Sequence, residues 1–232
     1  MTLANLSTVA THDLALHVLP QTNALKAKHS AMRDRSAPQE VFVFNARRIT
    51  RLLMEFALDF LPHKDTEVKT PSGGIYKGRK LAVPVCGVSV LRAGDSMEME
   101  LREIAPDIPL GKILIQRDTV TKQPDFFFAK LPDDIARRHV LLLDPMLATG
   151  GTAVEAITQL VKRGVAPKNI IFVTILCVEN GLDKVHSAYP EVQIITSSVE
   201  EQLNEQAFML PGIGDFGDRF FGTYVLPKIV ED

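Results

Sequence analysis

The sequence predicts an α/β protein: a parallel sheet with helices on both faces. Three observations predict it. From Val85 onward, short apolar runs rich in β-branched residues alternate with stretches of helical spacing. The run Ile170–Val178 is apolar apart from Thr174, the pattern of a strand covered on both faces. The string HVLLLDPMLATGGT, residues 139–152, passes from an apolar strand through an acid and a small-residue turn into a helix. In open sheets of this kind ligands bind outside the carboxyl ends of the strands, so the search for chemistry starts there.

The elements follow in chain order. Residues 1–40 are weakly patterned and read as an N-terminal arm. In 47–60, Ile49, Leu52, Leu53, Phe56 and Phe60 fall at helical spacing, and Pro62 stops the helix. Residues 62–84 hold three prolines and the turn Ser72-Gly73-Gly74, which reads as a hairpin excursion. Val85–Leu91 is a strand, followed by a helix carrying Met97, Leu101 and Ile104. Residues 113–116 and 140–143 are further strands. Residues 152–163 form a helix with Ala153, Ala156, Ile157, Leu160 and Val161 on one face and Gly164 at its end. After Ile170–Val178 come a helix over 182–188 and a strand over 192–196. Ser198 and Glu201 have capping-box spacing for one more helix. The run Phe126-Phe127-Phe128 reads as packing.

Composition sets the class. The chain has 232 residues, 26 Lys+Arg against 28 Asp+Glu, and 46% hydrophobic residues. That excludes whole-chain disorder and gives no basic excess for nucleic-acid binding. Cys86 and Cys177 make no disulfide framework, and the nine-residue apolar run is far short of a membrane span. The six histidines are scattered without metal-ligand spacing. The expected setting is cytoplasmic, with a nuclear presence left open, and with neither nucleic acid nor membrane as partner.

The strand-turn-helix at 139–152 carries the chemistry. Asp144 ends the strand, and Ala148-Thr149-Gly150-Gly151-Thr152 opens the helix. Two glycines let backbone N–H groups approach an anion, and the helix N-terminus adds partial positive charge. Thr149 and Thr152 offer hydroxyl donors. No Lys follows the glycines, and their spacing is not that of a dinucleotide fingerprint, so this is neither of the two common nucleotide loops. The plain alternative is a tight turn that needs glycine for geometry alone.

Asp144 through Thr152 resembles the phosphoribosyl-diphosphate (PRPP) loop of type I phosphoribosyltransferases, and DPMLATGG resembles the uracil phosphoribosyltransferases in particular. Three further segments agree, in order. Gly87 to Gly94 (GVSVLRAG) resembles the family's diphosphate loop. Ile115, Gln116, Arg117 and Asp118 resemble the start of its mobile loop. Residues 211–219 (PGIGDFGDR) resemble its uracil-recognition loop. Phe216 and the Ile115-Gln116 pair look like the eukaryotic, especially fungal, branch.

The resemblance implies one phosphoribosyltransferase domain over 1–232, with a PRPP-binding core at 85–196 and a uracil-binding hood at 197–232. It implies uracil and PRPP as substrates and UMP and diphosphate as products, in pyrimidine salvage. Mg²⁺ arrives on PRPP, so no protein metal site is expected. Asp144 would meet the ribose hydroxyls, its plain alternative being a cap on the following turn. Arg92 would hold diphosphate oxygens, its alternative being a salt bridge with Asp95 or Glu98. Arg117 would swing over the diphosphate. Pro145, Met146, Leu147, Ala148, Thr149, Gly150, Gly151 and Thr152 would line the phosphate. Asp215 would face PRPP and its Mg²⁺. Backbone groups of Met209, Gly214 and Phe216 would read the uracil edge, with Phe216 alternatively a core aromatic. Asp144, Arg117 and Asp215 are the catalytic candidates. A homodimer or higher homo-oligomer is implied, with the 62–84 excursion as the suspected contact, and GTP as a candidate effector.

The chain departs from the family where two glutamates usually follow Arg117 and Asp118: here stand Thr119 and Val120. Phe128 replaces a frequent tyrosine, and residues 224–232 run past a common end point. The lost glutamates keep a competing reading alive, a catalytically silent or regulatory nucleotide- or PRPP-binding homologue on the same scaffold. A purine as the base is disfavoured by GIGDFGD.

Overall fold

The computed structural model describes residues 16–117 and 124–223, with the side chain of Arg117 outside that description. The readings placed on Asp118, Thr119, Val120 and residues 224–232 lie outside the described residues. The chain opens with β1 (Leu16–Val18), α1 (Asn23–Arg33) and α2 (Gln39–Asp59). A hairpin follows, β2 (His63–Lys69) and β3 (Ile75–Leu81). Next come β4 (Val85–Leu91), α3 (Asp95–Ile104), β5 (Leu110–Arg117), β6 (Pro124–Lys130) and β7 (His139–Leu143). The second half comprises β8 (Met146–Leu147), α4 (Gly151–Val161), β9 (Ile170–Val178), α5 (Glu179–Ala188) and β10 (Gln193–Glu200). It closes with β11 (Gln202–Leu203), β12 (Met209–Leu210) and α6 (Phe216–Phe221).

The main sheet runs β1-β10-β9-β7-β4-β5-β6, with β8 also pairing with β9. Every pairing is parallel except β5 with β6. From β4 the chain crosses one way to β5 and later returns to the other flank as β7. The strand order therefore reverses between β4 and β7, and their carboxyl ends diverge into a crevice.

Strand periodicity of two sends successive side chains to opposite faces. Leu141, Leu143, Ile171, Val173 and Ile195 pack on one side with Phe42, Ile49, Leu53, Met97 and Leu101 of α2 and α3. Val140, Leu142, Ile170, Phe172 and Ile194 pack on the other with Ala153, Ile157, Leu160 and Val185 of α4 and α5. Phe42 is fully buried, so truncating it to Ala would cost about 3–5 kcal/mol.

The predicted helix at 47–60 begins at Gln39 instead, because Phe42 and Ala46 continue the buried stripe. Arg47 and Arg51 grip the buried Glu100 at 2.5 and 2.7 Å, which locks α2 onto α3. Within the segment read as an arm, β1 adds an edge strand beside β10, and Thr22 caps α1 by accepting the Leu25 N–H. The 62–84 excursion is a two-stranded hairpin in register from His63↔Leu81 to Lys69↔Ile75.

Two expectations fail. No helix starts at Ser198, which lies in β10 opposite Leu176. Pairing with the wholly buried β9 overrides the local cap signal. The chain then turns into the small β11–β12 ladder. Of the phenylalanine run only Phe126 packs inward, under Arg163, because β6 is an edge strand that leaves Phe127 and Phe128 exposed. Among the described residues, no helix is long and apolar enough to cross a membrane.

Candidate active site

A cavity of about 460 Å³ opens at the carboxyl ends of β4 and β7. Arg92 and Ala93 reach it from the end of β4, Ile115 from β5, and Asp144 from the end of β7. Met146, Leu147, Ala148, Gly150, Thr152 and Ala153 line it from the turn into α4, and Asp215, Phe216 and Gly217 from the start of α6. Arg92 and Asp215, 123 residues apart in sequence, thus line one cavity. A larger, more apolar cavity of about 620 Å³ lies beside α1 and α2, lined by Leu25, Leu52 and Phe56 among others. It contains none of the candidate residues.

Asp144 is nearly buried and accepts the Met146 N–H at 3.3 Å. The turn-capping alternative is therefore present, and the carboxylate still faces the cavity. Gly150 adopts φ +75°, and a Cβ there would sit 2.9 Å from the Gly181 carbonyl oxygen. Only glycine meets both conditions. It occupies the N-cap of α4 and, as glycine, brings no side chain to cap the first turn. The leading N–H groups of α4 thus have no cap from the N-cap residue itself, and a helix start of this kind can hold an anion.

Arg92 does not pair with Asp95 or Glu98. Those two carboxylates bind Lys112 at 2.6 and 3.2 Å. Burial lowers the Lys112 pKa, but its hydrogen bonds to Asp95 and Glu98 outweigh this and raise it. Arg92 donates instead to Asp218 at 2.9 Å and to the Thr223 hydroxyl at 3.3 Å, with its guanidinium over the Phe221 ring. The Asp218 carboxyl is held below the usual range by the Thr223 hydroxyl and by Arg92. Asp215 caps α6, accepting the Asp218 N–H at 2.8 Å, and lines the cavity as well.

The base-loop candidates divide. The Phe216 ring is buried against Phe42 and Phe220, so it is a core aromatic that also borders the cavity. Met209 is buried in β12, and Gly214 has φ +73° two residues before Phe216; neither lines the cavity. Pro145, Thr149 and Gly151 belong to the turn but are not among the lining residues. Arg117 ends β5 beside Pro124. Ala93, Ile115 and Gly217 lie in the segments that the resemblance singled out, at 87–94, 115–118 and 211–219, whereas Ala153 was read only as helix packing. Sequence reasoning missed Asp218, although that acid lies inside the loop it singled out.

The cavity offers two carboxylates and one guanidinium. Among the described residues no group of three or more His, Cys, Asp or Glu is placed to hold a metal. That donor set suits a Mg²⁺ that brings phosphate oxygens and waters with it. Both thiols are buried and free, and burial pushes Cys86 up to about 11 and Cys177 up to about 12. They are inert at neutral pH.

The family model for uracil phosphoribosyltransferase matches residues 18–223. A uracil phosphoribosyltransferase of Saccharomyces cerevisiae is 44% identical over 206 residues, 89% of this chain and 95% of that one. One from Dictyostelium discoideum is 46% identical over the same shares. A solved structure of a protein from Aquifex aeolicus superposes with a TM-score of 0.80 at 27% identity, covering 90% of this chain and 99% of that one. The crevice at the strand reversal, the loop that leads from Asp144 into α4 and the match over nearly the whole chain lead to one assignment: this protein belongs to the uracil phosphoribosyltransferase family.

Proposed function

We propose that the protein transfers a phosphoribosyl group from Mg-PRPP to uracil, giving UMP and diphosphate for pyrimidine salvage. The observation that carries this reading is the convergence of Asp144, the glycine-led start of α4, Arg92 and Asp215 on one cavity. A bond forms between N1 of uracil and C1 of the ribose, the C1–oxygen bond to diphosphate breaks, and the N1 proton is lost. Positive charge builds on the ribose and negative charge on the leaving group, so cations at the diphosphate stabilise the transition state. Mg²⁺ bound to PRPP supplies part of that charge.

In this reading the turn at 145–152 holds the 5′-phosphate by backbone N–H groups and the Thr149 and Thr152 hydroxyls. Asp144 accepts from the ribose hydroxyls and orients C1. Arg92 leaves Asp218 to grip diphosphate with its planar fork. Arg117 closes over the same group, excluding water. Asp215 faces PRPP and its Mg²⁺ through water. Backbone groups of the loop that holds Met209, Gly214 and Phe216, which borders the cavity through Asp215 and Phe216, would match the N–H and carbonyl pattern of uracil. Cytosine would leave a buried group unpaired, at about 1–3 kcal/mol.

The protein acts in the cytoplasm as a homo-oligomer. The hairpin β2–β3 supports that, since two strands alone are marginal in water and it exposes Val68, Ile75 and Tyr76. The test is a product assay with purified protein, Mg-PRPP and each of uracil, cytosine, hypoxanthine and orotate. UMP from uracil alone is expected. A second reading, a silent PRPP-binding homologue, is favoured by Thr119 and Val120. It would show as PRPP binding with no product from any base.

A further inference from the structure

We propose that the Arg33–Glu200 ion pair is a positioning device for the base-reading loop, clamping it from α1 through the backbone of Gly212. The proposal rests on the reading above, in which residues 209–216 face the base.

The pair joins elements 167 residues apart in a bidentate contact, both N···O distances being 2.7 Å. The Glu200 side chain is only 1% exposed and that of Arg33 23%. Between them they take both backbone polar groups of one residue, Gly212. The Gly212 N–H donates to Glu200 Oε2 at 2.8 Å, and Arg33 Nη1 donates to the Gly212 carbonyl at 3.0 Å. Ser198 completes the cluster by donating to Glu200 Oε1 at 3.0 Å.

Gly212 needs such partners. The β11–β12 ladder ends at Leu210, and Pro211 has no N–H. Gly212 is buried at φ +61°, where a Cβ would stand 2.0 Å from the Met209 carbonyl oxygen. Its backbone is outside any ladder and away from water, and an unpaired buried N–H or C=O is costly. The chain meets that need with a charged pair instead of a neutral side chain.

A second tie runs in the opposite direction. Arg219 of α6 donates to the carbonyls of Ile213 at 2.8 Å and of Met32 at 2.6 Å, and to that of Asp34 at 2.9 Å. Its guanidinium lies over the Phe42 ring at 4.3 Å. Gly212 and Ile213, immediately before Gly214, are therefore both fixed to the C-terminal end of α1. A loop that selects a base by its backbone must be held to within about half an ångström. The clamp supplies that constraint from a segment that touches neither the cavity nor, in this reading, either substrate.

Two conservative variants test it. Glu200→Gln keeps an acceptor for the Gly212 N–H and removes the charge. Arg33→Lys keeps the charge and removes the fork. Both are expected to raise KM for uracil roughly tenfold or more, to leave KM for PRPP within about twofold, and to speed hydrogen–deuterium exchange at 205–217 but not at 85–92. Folded variants with unchanged uracil KM, or with both KM values rising together, would overturn the assignment. So would variants that fail to fold, which would place the pair in general stability. The exchange arm reads the clamp even if the wild-type protein makes no UMP, an outcome that would sink the proposed reaction and not the clamp.

Discussion

Arg92, which lines the cavity, and Asp218, 126 residues later, form a hydrogen-bonded ion pair of 2.9 Å. One follows the strand that lines the proposed diphosphate site, and the other lies in the helix that closes it. An arginine committed to diphosphate must first leave this carboxylate. The pair is half-exposed, so it is worth at most about 1 kcal/mol. Asp218→Ala should therefore lower KM for PRPP by up to about fivefold with little change in thermal midpoint. Steady-state kinetics with PRPP varied would show it. A rise in KM would mean that Asp218 preorganises Arg92 for its ligand.

Asp144→Asn keeps an oxygen for the Met146 N–H and removes the charge that the ribose hydroxyls would meet. A hydrogen bond to a charged group is worth about 1.5–3 kcal/mol. Turnover should fall by about 10- to 100-fold while the unfolding midpoint stays within experimental error. Unchanged turnover would remove Asp144 from the reaction and leave it as a turn cap.

Gly150→Ala places a Cβ 2.9 Å from the Gly181 carbonyl at a left-handed backbone angle. The conformational strain alone costs about 1–2 kcal/mol. Reduced stability in urea unfolding and a raised KM for PRPP are expected together, because the same turn presents the N–H groups of α4. A loss of stability with normal PRPP kinetics would show that the turn is structural only.

Stability should fall as pH drops below 6.5. The Ser197 hydroxyl is 2.6 Å from the Ile175 carbonyl and donates there, so its oxygen accepts from His29 Nε2 at 3.1 Å. His29 Nδ1 is buried with no hydrogen-bond partner among the described residues. Burial, reinforced by Arg33, lowers this pKa from 6.5 to about 4. The unfolded chain thus binds the proton first, and between pH 6.5 and about 4 acid favours unfolding. A depression of this size amounts to on the order of 3 kcal/mol, fully lost near the folded pKa. His17, His139 and His186 are lowered in the same direction by burial. Glu200, held low by Arg33 and the Gly212 N–H against the opposing effect of burial, adds its loss only below the usual carboxylate range. Urea unfolding at pH 7.5 and 5.0 should show the slope, and His29→Gln should flatten it.

The alternating strands and helices, the turn at 144–152 and the loop at 211–219 were legible because each is a local pattern. Val85–Leu91 and Ile170–Val178 appear with the boundaries expected, since continuous apolar runs leave no other way to bury them. Ser198 misled because a local cap signal competes with a ladder to β9 that no window around Ser198 contains. Arg92 borders the cavity, and the salt-bridge partners read for it were wrong. Asp95 and Glu98 are near it in sequence, whereas Asp218 reaches it only through the fold.

The sequence by itself determined the fold class and the family, because these rest on residue types at short spacing. Only the tertiary structure decided which charges pair: Arg92 with Asp218, Lys112 with Asp95 and Glu98, and Arg33 with Glu200. It also tied a weakly patterned N-terminal segment to Gly212 and Arg219 near the C-terminal end of the described chain. The reason is physical. Hydrophobic periodicity is local and survives without a partner. An ion pair is defined by two groups within about 4 Å, and chain reversal, not sequence distance, brings them there.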